Sequence, residues 1–444
     1  MAGGPKMYRY PILALSLAAC ALAIHQTCTP TPILAAEQEP TPLRTLGYVD
    51  VKAFGAAGDG STDDTAAINS AIRYARGLTI PPGNVGNTNT PYYARLYFPQ
   101  GNYLISDTLD FTHFSDPNAL AGGNNGYAFE VEGYGAYIST GPHFATEHPI
   151  IDALGSRTIK FVGFTLAGNG DGTSGSHEPN VGIQIGRVVP ELGADFFTFR
   201  DVSVIGNFSL AAFYSLASEV TQYDHVLAIN NDRRSGSYSL ILDGANHFSI
   251  TSKFVEETIP RDTHQSFTLN GFHDSQFLSG PNVVGRGTPI WLSDTEGVKF
   301  DNVYANTNAA TCVVLFSQSE VNPLSALQFD NFHCEGQNIR QTFLVSGENL
   351  APVIRRFHYG EIANFSHGSV LGLANTNAHG ILQDSEIQID RYVFRGSKVF
   401  DDPERWAFTG SYFAPSAEEW NIPASFSGHV TLGNTTQFIG RGAQ

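Results

Sequence analysis

Three side chains capable of acid–base chemistry recur at matching places in the second half of the chain. Tyr304, His333 and His358 each follow an apolar residue in a short strand-like phrase. If these phrases stack on one another, side chains at matching positions point to the same side and form a column. The column would carry one phenol and two imidazoles, which are groups that serve as general acids and bases. We therefore predict that Tyr304, His333 and His358 are catalytic.

Charged residues around this column suit the removal of a proton beside a carboxylate. That reaction needs a base, a group that neutralises the carboxylate, and a proton donor for the leaving oxygen. Glu335 lies two residues after His333, which places both on one face of a strand, and we predict that it is catalytic too. Arg355 and Arg356 supply cations that would bind the anion. The competing interpretation, in which these are surface or turn residues without a reaction, stays open.

Recurring aspartates offer a different chemistry. A carboxylic acid and a carboxylate about 5–9.5 Å apart can hydrolyse a glycosidic bond. Stacked coils about 4.8 Å apart would provide such separations at one or two coils. The candidates occupy what we interpret as one register, namely Asp201, Asp224, Asp301 and Asp330. A structural ladder of turn residues is the favoured interpretation.

The phrases that carry these residues belong to a repeat with a spacing in the twenties. Each alternates apolar and polar residues and ends near Gly, Asn or Asp. One set is SLILDG (239–244), SFTLNG (266–271), PIWLSD (289–294), VVLFSQ (313–318), TFLVSG (342–347) and VLGLAN (370–375). The other set is FRDVSVI (199–205), YDHVLAI (223–229), VKFDNVYA (298–305), LQFDNFHC (327–334) and IRRFHYG (354–360). This repeat predicts an all-β chain folded as a single-stranded parallel β-helix, or β-solenoid.

Alternation also predicts which side chains face the interior of the solenoid. The expected inward residues of the first set are Leu240, Leu242, Phe267, Leu269, Ile290, Leu292, Val314 and Phe316. The expected outward residues are Ile241, Thr268, Trp291, Leu315 and Leu344. An outward apolar stripe is unusual for a monomer, so we expect it to be covered or to form a subunit interface.

An open end of a solenoid exposes unpaired strand edges and needs a cap. The segment 62–76 predicts a capping α-helix with Thr62 or Asp63 at its start. The expected apolar face consists of Ala67, Ile68, Ala71, Ile72 and Ala75.

Two stretches beside this helix carry a family resemblance. YVDVKAFGAAGDGSTDDTAAI (48–68) and LYFPQGNYLI (96–105) resemble the opening of the pectate-lyase-like superfamily, in the branch of proteins related to glycosyl hydrolase family 28, tailspike-type glycanases and many polysaccharide lyases. The resemblance implies a right-handed parallel β-helix that processes glycans outside the cell, often as a trimer. The set of Asn-Thr-Asp, Asp-Asp, Gly-His-Gly and Arg-Ile-Lys elements of polygalacturonase-type hydrolases is missing from the coils.

With a polysaccharide as the expected ligand, two further residues are predicted to bind it. Trp291 would offer its ring face to a sugar. Lys253 begins a charged segment that we expect to form a loop and a groove wall. Its charged neighbours are Glu256, Glu257, Arg261, Asp262 and His264.

The sequence predicts no cofactor, because no His/Cys metal spacing is present. A calcium ion is left open by the cluster of Asp59, Asp63 and Asp64. The 12-residue spacing of an EF-hand loop is absent, however, and a structural role for these aspartates is favoured.

The start of the chain predicts export. Residues 1–36 carry Lys6 and Arg9 before a short apolar run, which is typical of a secretory signal and too short to span a membrane. A lipobox-like sequence ending at Cys20 leaves a lipid-anchored envelope protein as the alternative. Residues 37–47 are interpreted as a linker. The expected location is extracellular or periplasmic.

The remainder of the chain is divided into 48–148 (cap and first coils), 149–394 (β-helix) and 395–444 (a C-terminal cap or oligomerisation segment). Cys312 and Cys334 fall at inward positions; two buried thiols are favoured, and a bridge between coils stays open. The net charge of −17 argues against nucleic acid and anionic membranes as partners. A homotrimer is left open.

These expectations combine into one leading hypothesis and two alternatives. The leading hypothesis is a secreted lyase that cleaves a uronic-acid-containing polysaccharide by β-elimination. The first alternative is a glycoside hydrolase with a carboxylate pair on the β-helix face. The second is a non-catalytic glycan-binding or structural envelope protein. A cleft lined by His, Tyr and Arg favours an enzyme, whereas a smooth apolar or Asn-laddered face favours the non-catalytic protein.

Overall fold

The computed structural model describes most of residues 48–347 and short strands beyond them. The described ranges are 48–79, 93–112, 128–169, 177–188, 196–232, 237–253, 267–270, 273–275, 288–295, 297–307, 311–317, 327–335, 341–347, 353–355, 358–359, 369–373, 380–383, 386–387, 398–400, 406–409, 412–413, 426–427 and 431–432. The predicted signal and linker lie outside these ranges. Within them, no helix is both long and apolar enough to cross a membrane.

The chain is a right-handed parallel β-helix in which a complete coil contributes one strand to each of three parallel sheets. The first sheet consists of β1 (Tyr48–Asp50), β3 (Tyr93–Tyr97), β6 (Ala128–Glu132), β9 (Ile159–Val162), β12 (Thr198–Arg200), β15 (Thr221–Asp224), β18 (Phe267–Asn270), the first half of β21 (Val298–Asn306), the first half of β23 (Leu327–Glu335), β25 (Val353–Arg355), β28 (Gly380–Gln383), β31 (Trp406–Thr409) and β33 (Phe426–Ser427). The predicted β-solenoid is confirmed.

The strands of the other two sheets follow those of the first along the chain. The second sheet consists of β2 (Asp59–Asp63), β4 (Gly101–Ile105), β7 (Ala136–Thr140), β10 (Thr165–Gly168), β13 (Ser203–Gly206), β16 (Leu227–Asn230), β19 (His273–Ser275), the second halves of β21 and β23, β26 (His358–Tyr359), β29 (Glu386–Ile387), β32 (Tyr412–Phe413) and β34 (Thr431–Leu432). The third sheet consists of β5 (Leu109–Asp110), β8 (Ile151–Leu154), β11 (Val181–Gly186), β14 (Ala211–Leu216), β17 (Tyr238–Asp243), β20 (Ile290–Ser293), β22 (Thr311–Ser317), β24 (Gln341–Gly347), β27 (Ser369–Leu373) and β30 (Lys398–Phe400).

A short corner joins the first sheet to the second. In three successive coils one residue of this corner adopts a left-handed backbone, with φ of 79° at Gly163, 54° at Asp201 and 52° at His225. Gly, Asp and His are among the residue types that tolerate this conformation best. The corner therefore repeats in register, and its side chains lie one above another along the solenoid.

Aromatic side chains stack along the inside of the first sheet. The ring of Phe199 lies parallel to those of Phe161 and Tyr223, with centroid distances of 5.3 and 5.0 Å. The rings of Phe300 and Phe329 stack at 4.6 Å. These side chains are at most 1% exposed. The stacks explain the abundance of Phe, since identical rings at identical coil positions pack face to face along the solenoid.

The predicted cap helix is confirmed, with a later start. Helix α1 spans Thr65–Thr79 and follows a 3₁₀ helix at Val51–Phe54. Asp63 accepts hydrogen bonds from the Thr65 amide and hydroxyl and from Ser106, so its carboxylate fixes the first turn. Its predicted face packs on the core, with Ala67 partly buried and the other four members buried: Ile68, Ala71, Ile72 and Ala75.

Structural roles account for the acidic cluster beside this helix. Asp59 accepts hydrogen bonds from the amides of Ser61 and Thr62, which close a turn. Asp64 accepts the amides of Ala57 and Gly58 and ties the preceding loop to the helix. The favoured structural interpretation of these aspartates is thus supported by their contacts.

The predicted inward positions are correct in β17 and β20 and wrong in β22. Leu240 and Leu242 lie in the core, as do Ile290 and Leu292. In β22, however, Ile290 pairs with Val313, so that Val313 and Leu315 face the core and Val314 and Phe316 do not. Leu315 therefore does not belong to the outward stripe. The phrase 266–271 was also misassigned, because β18 pairs with β15 and β21 in the first sheet.

The outward apolar stripe on the third sheet is covered by the chain itself. Ile241 is buried in a second hydrophobic cluster with Tyr214 and Tyr238. Phe248, from the segment after β17, packs against Tyr214, Tyr238 and Trp291 at centroid distances of 6.0, 5.5 and 5.5 Å. Of the two expectations for this stripe, a cover is what the described residues show.

Two further observations concern the second half of the chain. Strand pairing continues past residue 394, since Ser369 pairs with Lys398 and Phe413 with Leu432. Cys312 is disulfide-bonded, so the favoured prediction of a free buried thiol is wrong for it. The side chain of Cys334 lies outside the described part.

Candidate functional site

A groove lies on the outward face of the first sheet, across β6, β9, β12 and β15. It encloses about 470 Å³. The lining residues are Glu130, Lys160, Val162, Thr198, Arg200, Gln222, Tyr223 and Asp224. Because four successive strands contribute, the groove follows the solenoid axis over four coils.

Strand register orders these side chains into two columns. One column consists of Glu130, Lys160, Thr198 and Gln222, which pair in succession. The other consists of Val162, Arg200 and Asp224, and it continues in register to Glu132, which is outside the lining. Partners in neighbouring strands are about 4.8 Å apart. Lys160 is therefore beside Glu130, and Arg200 is beside Asp224.

Charges alternate at one end of the groove. Arg95 Nε lies 3.6 Å from Glu130 Oε1, so Glu130 is placed between Arg95 and Lys160. Lys160 and Arg200 are exposed. A bound anion could thus contact both cations, while the flanking carboxylates accept hydrogen bonds from hydroxyl groups.

A tyrosine bridges two coils at one edge of the groove. The ring of Tyr134 lies over Gly163, where an added Cβ would come within 2.5 Å of it. The Tyr134 hydroxyl donates to Asp201 Oδ2 at 3.1 Å. Partial burial, together with the Asp201 carboxylate, raises the pKa of Tyr134, so the phenol keeps its proton at neutral pH.

A histidine–aspartate pair lies at the same edge. His225 Nδ1 is 3.0 Å from Asp224 Oδ1, and the His225 side chain is 69% exposed. The Asp224 carboxylate fixes the orientation of the ring, which leaves Nε2 for contact with a ligand. His225 occupies the corner position that corresponds to Asp201, beside the lining of the groove.

The predicted catalytic column is partly reproduced in the strand register. Tyr304 pairs with His333, and Asn306 pairs with Glu335. Tyr304 is partly exposed in the second sheet, between the buried residues Val303 and Ala305. The side chains of His333 and Glu335 lie outside the described part, and their catalytic role stays a prediction.

His358 does not continue this column. Tyr359 pairs with Phe332, so His358 corresponds to Asn331, two positions before His333. The expectation failed because Phe357, rather than Tyr359, was aligned with Phe332. His273, which is on the coil before Tyr304, does belong to this column, because it pairs with Tyr304.

The predicted binding residues are dispersed. Trp291 packs on the third sheet against Tyr238, Phe248 and Phe316, away from the groove on the first sheet. Trp291 is partly exposed, and its predicted binding of a sugar stays a prediction.

The predicted cations do not gather in the groove either. Lys253 is exposed in the segment that follows Phe248, the residue that packs on Trp291. Arg355 pairs with Gln328, and Arg356 lies outside the described residues.

The predicted aspartate ladder holds for three of its four members. Asp224 pairs with Asn270, Asn270 with Asp301, and Asp301 with Asp330. Asp201 is displaced by one residue, because Arg200 is the partner of Asp224. In the described part of the chain, no three His, Cys, Asp or Glu residues are grouped as metal ligands.

Comparison with known proteins gives a family relationship for the start of the chain. Residues 48–128 match the family model described as Rhamnogalacturonase A/epimerase, pectate lyase-like. This segment is pectate-lyase-like. The resemblance carried by residues 48–106 is therefore confirmed.

One curated relative shares a short stretch with this chain. A protein of Arthroderma benhamiae described as "Probable glucan endo-1,3-beta-glucosidase" is 53% identical over 62 residues. The match covers 14% of this chain and 7% of that protein. The chain spans only that small part of the relative's length.

Solved structures with similar folds cover most of the chain. PfbA, a surface adhesin of Streptococcus pneumoniae, aligns with a TM-score of 0.57 and 14% identity over 88% of this chain and 90% of its own. Tailspike protein 2 of the Escherichia coli O157:H7 bacteriophage CAB120 aligns with a TM-score of 0.53 and 10% identity, over 84% of this chain and 43% of its own. At these identities the likeness shows the parallel β-helix fold alone.

Proposed function

We propose that this chain binds an acidic polysaccharide in the groove of the first sheet and cleaves it by β-elimination outside the cytoplasm. The observation that supports this most directly is the arrangement around Arg200. This guanidinium is beside Asp224, which in turn contacts the exposed imidazole of His225. A carboxylate-binding cation and an oriented base thus lie at one place.

Each part of the elimination has a candidate residue in the groove. Arg200 and Lys160 bind and neutralise the carboxylate of a uronic acid, which makes the neighbouring C–H proton more acidic. His225 Nε2 takes that proton, the electron pair forms a C=C bond, and the C–O bond to the next sugar breaks. Tyr134 gives its proton to the leaving oxygen, since its raised pKa keeps the phenol protonated.

A hydrolase is the second candidate, because Asp201, in the corner after β12, lies beside Asp224 of β15. The Asp201 amide donates to the Asp224 carbonyl at 3.1 Å, so their backbones are in contact. Two carboxyl groups about 5–5.5 Å apart are typical of retaining glycosidases. In that mechanism water, rather than a new double bond, completes the cleavage.

A non-catalytic glycan-binding protein is the third candidate. The similar fold of a surface adhesin, over 90% of the length of that chain, favours it. Export by the predicted signal, a lipid anchor at Cys20, a homotrimer and the predicted second-sheet site remain proposals that go with any of the three.

The deciding experiment incubates the purified full chain with acidic and neutral polysaccharides. Ultraviolet absorbance from a conjugated double bond supports the lyase; new reducing ends without that absorbance support the hydrolase. Binding without cleavage leaves the adhesin-like role. If no polysaccharide of a broad panel is bound or cleaved, the proposed function is wrong.

Variants then test whether the groove is the site. His225→Ala should lower turnover by about 10²–10⁴-fold, as expected for the loss of a general base. The matched control is His148→Ala, because His148 forms a similar exposed pair with Asp107 at 2.8 Å, outside the groove. Equal activity of both variants would move the site elsewhere.

A further inference from the structure

A second corner of the coil, between the third and first sheets, has an unusual backbone. Thr158, Phe196 and Val220 have φ values of 56°, 60° and 49°. Each lies two residues before a groove residue of the column Lys160, Thr198 and Gln222, so the three are in register on successive coils. We call these three residues the left-handed wall.

The residue types of the left-handed wall are among the least suited to this backbone. A left-handed conformation brings Cβ close to the following carbonyl oxygen, and β-branched and bulky residues are genuine outliers there. The corner on the opposite side of the groove differs, because it uses Gly163, Asp201 and His225, which tolerate the conformation. The strain is therefore specific to one edge of the groove.

Hydrogen bonds between coils hold the wall in place. The amide of Phe129 donates to the Thr158 carbonyl, and the amide of Phe196 donates to the Glu219 carbonyl, both at 3.1 Å. Strained residues persist where the surrounding structure fixes them, and such residues concentrate at ligand sites.

Burial does not compensate for the strain at two of the wall residues. Phe196 is 45% exposed and Val220 is 37% exposed, whereas the next residue, Phe197, is fully buried in the core. The core contact is thus made by Phe197, and the large apolar side chain of Phe196 is directed to the surface beside Thr198. Asn or Gly would satisfy the backbone at lower cost.

We propose that Phe196 and Val220 form an apolar shelf that packs against the ring face of a sugar whose polymer occupies the groove. The inference rests on the proposed polysaccharide-binding function and adds to it a specificity-determining surface. Pyranose rings present C–H groups on their faces and hydroxyls at their edges. A shelf beside the polar column of Thr198 and Gln222 therefore contacts both kinds of surface of one sugar.

The test measures both thermal stability and polysaccharide binding, because the shelf predicts that only binding is weakened. Phe196→Asn and Val220→Asn should keep or raise the midpoint of thermal unfolding, because Asn tolerates the left-handed backbone and no core contact is lost. The same variants should weaken the binding of the polysaccharide at least fivefold, measured by calorimetry on the full chain. Phe196→Tyr should retain binding.

Glu147→Asn is the matched control, since Glu147 also has a positive φ of 61° at an exposed corner outside the groove. It should leave binding unchanged.

Three outcomes would overturn the shelf. If both Asn variants bind the polysaccharide as tightly as the wild type does, no sugar contacts the shelf. The proposed function would still stand. A large fall in the unfolding midpoint of these variants shows that the side chains hold the fold. Failure of the wild-type chain to bind any polysaccharide overturns the proposed function and the shelf together.

Discussion

Arg200 is directly opposite Asp224 in adjacent strands of the first sheet. Their side chains line the same groove, and Asp224 is also in contact with His225. The Asp224 carboxylate therefore contacts the proposed base, His225, and is beside the proposed anion-binding cation, Arg200. Four expectations follow from this and three other arrangements.

Removal of the guanidinium should weaken the binding of acidic polysaccharides. We expect Arg200→Ala to raise the dissociation constant about 10–100-fold, since hydrogen bonds to charged groups contribute about 1.5–3 kcal/mol. Calorimetry at two salt concentrations measures the effect, which should shrink as salt screens the charges. Arg73→Ala is the control, because Arg73 is exposed on the cap helix. If Arg200→Ala weakens the binding of a neutral polysaccharide by the same factor, an electrostatic role for Arg200 would be contradicted.

The hydroxyl of Tyr134 should matter for turnover more than for binding. Tyr134→Phe keeps the ring over Gly163 and removes the bond to Asp201. If the phenol donates the proton to the leaving oxygen, kcat should fall at least tenfold with KM nearly constant. Steady-state kinetics give both constants. The control Tyr137→Phe alters another exposed tyrosine, 39% exposed, outside the lining of the groove. An unchanged kcat for Tyr134→Phe would assign the proton donation to another group.

The fold could be predicted because its signals are local and repeated. Two signals recur along the chain, namely the alternation of apolar residues and the glycine and aspartate corners. A third signal is the motif at residues 48–106, and all three agree with a β-helix. The inward direction in β22 failed for a physical reason. VVLF offers four apolar residues in succession, so alternation alone cannot determine which of Val313 and Val314 is inward.

The site was harder to predict because register decides which side chains meet. Aligning FRDV with YDHV by their aspartates pairs Asp201 with Asp224. Aligning them by the flanking core residues instead pairs Phe199 with Tyr223, and this second alignment is the one that forms. It places Arg200 beside Asp224 and brings His225 into the corner column. Core packing was thus the available signal for the groove, because buried residues fix the register and polar residues follow it.

The column on the second sheet gives a competing expectation for catalysis. His273, Tyr304 and His333 share one register on three strands. If this column is the site, His333→Ala should abolish turnover and His273→Ala should lower it. His225→Ala should then leave activity unchanged. Measuring the three variants with one substrate separates the two locations, because each predicts the opposite order of activities.

A buried ionic cluster on the third sheet leads to the last prediction. His247 Nδ1 lies 2.8 Å from Asp243 Oδ1, and His247 Nε2 lies 2.9 Å from Asp294 Oδ2. Both carboxylate side chains are fully buried, and the Tyr214 hydroxyl also donates to Asp243. Burial alone would lower the pKa of His247, but the hydrogen bonds and charges of the two aspartates outweigh it and raise the pKa from 6.5 to about 10.

The sign of the pH dependence follows from this shift. The imidazole is protonated in the folded chain up to about pH 10 and loses its proton near pH 6.5 in the unfolded chain. Its contribution to stability is therefore complete below pH 6.5 and is lost as the pH rises toward 10. The Asp243 carboxyl acts at the acidic end: its pKa is lowered because the bonds from His247 outweigh burial, so its contribution is lost as the pH falls below 3.8.

His247→Ala should destabilise the chain by about 3–5 kcal/mol, because it removes the cation between two buried carboxylates. The free energy of unfolding, measured by denaturant titration at several pH values, should decline above pH 6.5 in the wild type and lose most of that decline in the variant. His148→Ala, which breaks an exposed pair, should cost at most about 1 kcal/mol. If the free energy of unfolding depends on pH in the same way in the wild type and in His247→Ala, the cluster does not hold a proton on His247.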